Sequence, residues 1–358
     1  MFRIDRRLFL HFDWLLIGLT VILIGAGLVT LWSLVPRFGV RQLMWLGVGT
    51  VGLLVIISID YRTLARWSYL GYVAGLGALA TVLVLGRTAQ GARRWLSLGP
   101  LTLQPSELFK LVLIAVLAHY LANREEHRPG WDRVLVPLGL AAPALLLIVK
   151  QPDLGTALVL LPVVIALVFV GRARWRDLAL LGGIGLAAAP TLWFFLRDYQ
   201  RERILVYVDP SRDPLGSAWN VIQAKITIGS GQLVGKGLFG GTQSRLAFLP
   251  ERHTDFIFAA FAESWGFVGA IALLGVYGLV ALRGLEVAAN ARDSLGSLLA
   301  TGATVLLVTQ ALVNLGMVTG LLPVVGIPLP LVSYGGSALL TALGAVALIA
   351  NVRMRRFA

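Results

Sequence analysis

Cysteine is absent from this 358-residue chain, which excludes both disulfides and thiolate metal sites. Charge is scarce as well. Asp, Glu, Lys and Arg make up 14% of the residues, against about 25% in a soluble domain. Apolar residues fill the space, at 57% of the chain with a mean hydropathy of +0.81. No stretch has the composition of a soluble domain, and no internal repeat stands out. A cleaved signal peptide would pair a short apolar region with a small-residue cleavage site. Here Arg3, Arg6 and Arg7 precede an apolar run from Trp14 to Val35, which is long enough to span a bilayer as an uncleaved helix. These features predict an all-α, polytopic membrane protein, a single transmembrane domain over 1–358. The net charge of +13 is read as basic loops that fix orientation rather than as a surface for nucleic acid.

Apolar stretches of spanning length predict about ten helices, near 14–35, 41–59, 67–85, 106–122, 134–149, 154–170, 177–196, 255–282, 295–318 and 337–352. With the N-terminus inside, the cytoplasmic pieces hold Arg3, Arg6, Arg7, Arg62, Arg66, Arg124, Arg128, Arg133, Arg172, Arg174, Arg176, Arg283, Arg292, Arg353, Arg355 and Arg356. The short outer loops and boundaries hold fewer, namely Arg37, Arg41, Arg87, Arg93, Arg94 and Lys150. Both termini are therefore expected in the cytoplasm. The 197–254 connection between spans seven and eight is too long for a plain loop and is expected outside. Within it, Ser217 to Ile228 has Trp219, Ile222 and Ile226 on one helical face, with Gln223 and Lys225 polar. This predicts a short amphipathic helix at the outer interface. Gly229 to Gly241 reads as flexible backbone. Its Gly231 to Gly237 stretch has the glycines and lysine of a phosphate loop, but only three residues separate Gly231 from Gly235, and Gly237 stands where Ser or Thr is required.

Ionisable groups near spans are costly, so each is a functional candidate. In Gln104-Pro105-Ser106-Glu107-Leu108-Phe109-Lys110, Pro105 suits the first helical position and Glu107 the first turn. Glu107 and Lys110 are three apart and share a helix side; they form either an internal ion pair or the wall of a substrate cavity. Lys150-Gln151-Pro152-Asp153-Leu154-Gly155-Thr156 joins two spans tightly at the outer boundary. There Asp153 either caps the next helix or binds substrate with Lys150. In Glu251-Arg252-His253-Thr254-Asp255, a helix starting near Thr254 would put Asp255 at the bundle mouth and Glu263 roughly 12 Å deeper on nearly the same face. Asp255 as a mere cap, and a metal site of Glu251, His253 and Asp255 in an extended segment, are the alternatives.

Between Asn314 and Ala338 the chain is apolar, yet Pro323, Pro328, Pro330 and Gly335-Gly336 forbid a regular helix. Bare backbone in hydrocarbon costs several kcal/mol per unsatisfied group, so this block must pack inside protein or line a wet cavity. Its ordered pattern is Asn314, Gly320, Leu321, Pro323, Gly326 and Leu331-Val332-Ser333-Tyr334-Gly335-Gly336-Ser337-Ala338. It resembles the signature of the SEDS (shape, elongation, division, sporulation) proteins of bacterial cell-wall synthesis, the RodA/FtsW/SpoVE family. The two outer clusters and Asp255 through Gly269 extend the resemblance over nearly the whole chain.

The resemblance implies an inner-membrane peptidoglycan glycosyltransferase that polymerises lipid II, with inverting displacement of undecaprenyl diphosphate. It implies that Asp255, in its Asp-Phe-Ile-Phe context, is the catalytic residue, and that Glu107 and Lys110 line a central cavity. Lys150, Asp153, Glu263 and Ser333 are expected to bind substrate. It further implies a class B penicillin-binding protein as partner, alongside membrane lipids. No resident metal or tightly bound cofactor is expected; positive charge for the diphosphate is expected from Arg and Lys of the 197–254 connection, Lys110, Lys150 or a transient Mg or Mn ion. The short tails at Met1 and Ala358 suit the elongation branch. A lipid II flippase and a scaffold for the transpeptidase are the competing readings.

Overall fold

The computed structural model describes residues 12–89, 92–98, 101–124, 131–195, 198–213, 217–243 and 251–356. The chain enters α1 (Trp14–Leu34) through Asp13, whose carboxylate accepts from the amide of Leu16 at 3.1 Å and so satisfies one of the orphan donors of a helix start. Pro36 opens α2 (Pro36–Ser58) at a position where no amide is missed. A single-turn helix α3 (Tyr61–Arg66) leads into α4 (Ser68–Leu85). Next comes a small antiparallel sheet of β1 (Arg87–Ala89), β2 (Ala92–Leu98) and β3 (Leu101–Leu103) in that spatial order. The sequence reading treated this region as a plain outer loop.

Pro105 then starts α5 (Pro105–Ala122). It is followed by α6 (Asp132–Lys150), α7 (Leu154–Val170) and α8 (Trp175–Phe195). The internal prolines Pro137, Pro143, Pro162 and Pro190 are of the kind membrane helices tolerate, because neighbouring groups re-satisfy the freed carbonyls. Two helices fill the long connection, α9 (Asp198–Val208), which was not expected, and α10 (Ser217–Ser230). In α10 the polar Gln223 and Thr227 are buried while Ile222 and Ile226 are exposed. The apolar face expected from the sequence therefore points away from the helices α10 packs on.

The last three helices are α11 (Ile257–Ala289), α12 (Ser294–Thr319) and α13 (Gly336–Met354). α12 and α13 are the most enclosed and, with α5, form the centre; α2, α4 and α11 turn most of their apolar surface outward. Among the described residues eight helices are long and apolar enough to cross a membrane, and α7 is a shorter apolar helix. The expectation of about ten spans is met to that approximation. Each expected range falls on a helix, α8 being the one at 177–196.

α11 is not continuous. Gly266 sits at φ 68° and ψ −167° and breaks it. The backbone groups freed there are paired by the chain after α10. Phe267 and Val268 donate to the carbonyls of Gln232 and Leu233 at 2.8 and 3.1 Å, and the carbonyls of Glu263 and Ser264 accept from Lys236 and Gly237 at 3.0 Å each. A Cβ on Gly266 would lie 2.3 Å from the nitrogen of Gly235, and its positive φ suits glycine alone. The stretch expected to be flexible backbone is thus hydrogen-bonded into a helix break.

The start of α1 meets the C-terminal ends of α11 and α13 at one end of the bundle. Arg283 and Arg353, near the C-terminal ends of α11 and α13, reach Asp13 at 2.9 and 3.3 Å. α13 runs from that end to Gly336, about 28 Å away at 1.5 Å per residue. The polar cavity described next opens at the opposite end.

Candidate active site

A cavity of about 670 Å³ is bounded by β2, the start of α5, the α6–α7 turn, α9, the turn before α11 and the irregular segment between α12 and α13. That segment solves the backbone problem its sequence poses. The Asn314 side chain donates to the carbonyls of Asp255 and Ile327 at 2.8 and 2.7 Å. Ser333 accepts from the amide of Leu329 at 2.8 Å and donates to the carbonyl of Thr254 at 2.6 Å. Gln42 of α2 donates to Ser333 O at 3.1 Å and accepts from the amide of Gly335 at 3.3 Å. Side chains thereby replace the missing helical bonds, as burial of a non-helical backbone requires.

On the α5 wall, Lys110 Nζ lies 2.6 Å from Glu107 Oε1, with both side chains almost fully buried. One helical turn separates them, so they pair without rearrangement. Glu107 Oε2 has no hydrogen-bond partner among the described residues. Asp153 is both cap and wall. It accepts from Thr156 N and Oγ1 at 3.3 and 2.9 Å, from Gln104 Nε2 at 2.9 Å and from Ser106 Oγ at 3.2 Å. Arg94 of β2 stands 3.8 Å from it and is held by the carbonyls of Gln151 and Pro152.

Asp255 precedes α11 and lines the cavity beside Glu251, Thr254 and Tyr334. Gly326 approaches from the facing segment, at φ 72°; a Cβ there would stand 3.4 Å from Asp255 Oδ2. Burial first, and the neighbouring Glu251 charge second, push the Asp255 carboxyl up from 3.8 to about 7 against the pull of Arg203 and Arg94. Solvent still reaches the group through the cavity, so low polarity and access coexist here. Arg203 of α9 lines the same cavity and donates to Val324 O at 3.0 Å. The cavity therefore brings together Glu107, Lys110, Asp153 and Asp255 from distant parts of the chain. It adds Arg94, which the sequence reading counted only as loop charge, and Arg203, one of the basic residues of the long connection expected to supply charge for the diphosphate. Neither carries a local motif, and only the fold turns them inward.

Three residues expected to bind substrate lie elsewhere. Lys150 is exposed at the C-terminal end of α6 and does not line the cavity. Ser333 is buried behind the wall with its hydroxyl committed in both directions. Glu263 is fully buried but faces the chain after α10, because the helix begins at Ile257 rather than Thr254. The metal alternative does not fit either. Residues 251–256 form turns rather than an extended strand, and His253 stacks on Phe38 with ring centres 4.4 Å apart. Burial lowers the His253 pKa below the ordinary imidazole value. Among the described residues no three His, Cys, Asp or Glu side chains are grouped to hold a metal ion.

A helical bundle with the hydropathy of a multi-pass membrane protein and a charged cavity at one end is the class these features define. A family model for FtsW, RodA and SpoVE, described as cell cycle protein, matches residues 7–357, and the chain belongs to that family. It is similar to the peptidoglycan glycosyltransferase MrdB of Escherichia coli (strain K12), at 41% identity over 317 residues, 88% of this chain and 85% of that one. A solved chain from a peptidoglycan synthase complex that coordinates polymerization and crosslinking superposes with a TM-score of 0.84 at 38% identity, covering 97% of this chain and 98% of that one. The crystal structure of the Thermus thermophilus rod shape determining protein RodA gives a TM-score of 0.74 at 37% identity, covering 97% and 98%.

Proposed function

We propose that this protein is a peptidoglycan glycosyltransferase that polymerises lipid II into glycan strands during cell elongation. The observation that carries the reading is the placement of Asp255: one carboxylate poised near neutrality in a cavity it shares with Arg94, Lys110 and Arg203. A base works best when its pKa lies near the operating pH. Asp255 takes the proton of the attacking sugar hydroxyl, whose oxygen bonds to the anomeric carbon of a second lipid II as the bond to the diphosphate breaks. The electron pair leaves on undecaprenyl diphosphate, which is already anionic and calls for positive charge rather than a proton. Arg94, Arg203 and Lys110 supply that charge, with a transient Mg or Mn ion as an additional source. A single displacement inverts the linkage. Glu107 and Asp153 order the cavity wall, the first by holding Lys110 and the second by gathering Gln104, Ser106 and Thr156.

The 197–254 connection then lies outside the cell, both termini lie in the cytoplasm, and the synthase partner is a class B penicillin-binding protein that crosslinks the strand. Orientation has its own test. With no native cysteine as background, a cysteine at Arg93 should react with an impermeant thiol reagent added outside intact cells, and one at Arg174 should not. The reverse pattern would invert the topology. The reaction itself is tested with purified protein and lipid II in detergent micelles, where no flipping is possible. Glycan strands are the expected product; unchanged lipid II would return the protein to the flippase or scaffold classes.

A further inference from the structure

Glu263 lies outside the cavity, and one of its carboxylate oxygens gathers four donors. Its Oε1 accepts from Ser230 Oγ at 3.2 Å, Lys236 Nζ at 3.1 Å, and the amides of Thr242 and Gln243 at 2.9 and 3.1 Å. The side chain is fully enclosed while Lys236 stays partly exposed. Hydrogen bonds to an ionised carboxylate are roughly twice as strong as neutral ones. A buried charge is retained only when it is satisfied in this way.

The donors span residues 230 to 243, the segment that follows α10. The chain then returns to Glu251, Thr254 and Asp255 on the cavity wall, and from there up α11 to Glu263 itself. Contacts at Thr242 and Gln243 therefore close a chain loop that contains two of the cavity carboxylates, Glu251 and Asp255. Just beyond Glu263 the helix breaks at Gly266. The first turns of α11, from Ile257 to Trp265, are thus separated from the rest of the helix. They are fastened instead to the loop, through Glu263 and the backbone pairs around Gly266.

We infer that Glu263 is a positioning residue for the reaction, clamping the segment 230–243 to the first turns of α11 so that Glu251 and Asp255 are held in the cavity. The inference rests on the proposed polymerase reading of that cavity. It makes a statement that mere structural support does not. The groups around Asp255 are Glu251 on its own segment, Arg203 on α9, Arg94 on β2, Glu107 and Lys110 on α5, Asp153 before α7, and Tyr334 before α13. Only Glu251 and Asp255 itself lie within the clamped loop. Slackening it admits water, which lowers the pH at which Asp255 ionises because burial is the largest cause of its raised value; Glu251 travels with Asp255, bonded to Thr254 and Phe256 in the same turn. A change that only destabilises the fold removes active molecules and leaves that pH where it was.

The test is the pH dependence of lipid II polymerisation per folded molecule, for the full chain and for Glu263→Ala, Glu263→Gln, Lys236→Met and Asp255→Asn. Glu263→Ala is expected to lower kcat between about tenfold and a hundredfold, the scale of misplacement by an ångström. KM for lipid II should change less, and the pH midpoint should move down. Glu263→Gln keeps an oxygen for the two amides and should recover most of the rate. A wild-type kcat and midpoint in folded Glu263→Ala would overturn the inference. Should that variant not fold, Lys236→Met, at a partly exposed position, is expected to lower the midpoint in the same direction, and an unchanged midpoint there would overturn it. Full activity in Asp255→Asn would instead defeat the reading of the cavity, a separate outcome.

Discussion

Asp255→Asn is expected to slow lipid II polymerisation by about a hundredfold to ten-thousandfold, the usual cost of losing a positioned base. The shape is kept and the basicity is lost. Folding should survive the change, and linkage gives its direction. The folded carboxyl ionises near pH 7, against 3.8 ordinarily. Between those values the folded state holds a proton that the unfolded state has released, so stability falls as pH rises through that window. Above pH 7 the ionised Asp255 is a burden on the fold that Asn does not carry. The variant should therefore melt at or above the wild-type temperature at alkaline pH, while making little glycan. A near-normal rate from well-folded Asp255→Asn protein would sink the assignment. Loss of lipid II binding along with activity would recast Asp255 as a binding residue and point to Glu107 as the base.

The second large effect concerns the pair on α5. Glu107 and Lys110 are buried 2.6 Å apart, and removing one partner strands the other charge, at a cost of about 3–5 kcal/mol. Glu107→Ala and Lys110→Ala should each lower thermal stability and impair polymerisation. The double variant should cost less than the two singles together, because no lone charge is left behind. Strict additivity in a double-mutant cycle would show that the two groups do not interact.

The helices were legible because the bilayer imposes a length and a composition on each span, and long apolar runs such as 295–318 satisfy both. The block from Asn314 to Ala338 was legible for the opposite reason. Prolines and glycines at membrane depth demand outside partners, and Asn314, Ser333 and Gln42 supply them. The same demand explains why Ser333 was placed wrongly. A polar residue in such a block looks like a substrate ligand, but its hydroxyl is consumed by the backbone. Glu263 was misplaced for a related reason. A straight helix puts it below Asp255, and the break at Gly266 together with the later helix start sends it to another partner. Arg94 was not recognised as a cavity residue because arginines in outer loops are common, Arg203 was foreseen only as one of the basic residues of the long connection, and only the sheet and α9 bring the two into the cavity with Asp255. Both of those elements lie where turn-rich, charged sequence carries no clear periodicity.

The account turns on one carboxylate that acts as a base from an enclosed site. The most direct test is the pH–rate profile of lipid II polymerisation by purified wild-type protein in detergent, set beside that of Asp255→Asn. The account predicts a wild-type rate that climbs through a midpoint of about 7 and a residual variant rate without that transition. A flat wild-type profile across pH 7, or the same transition persisting in Asp255→Asn, would contradict it.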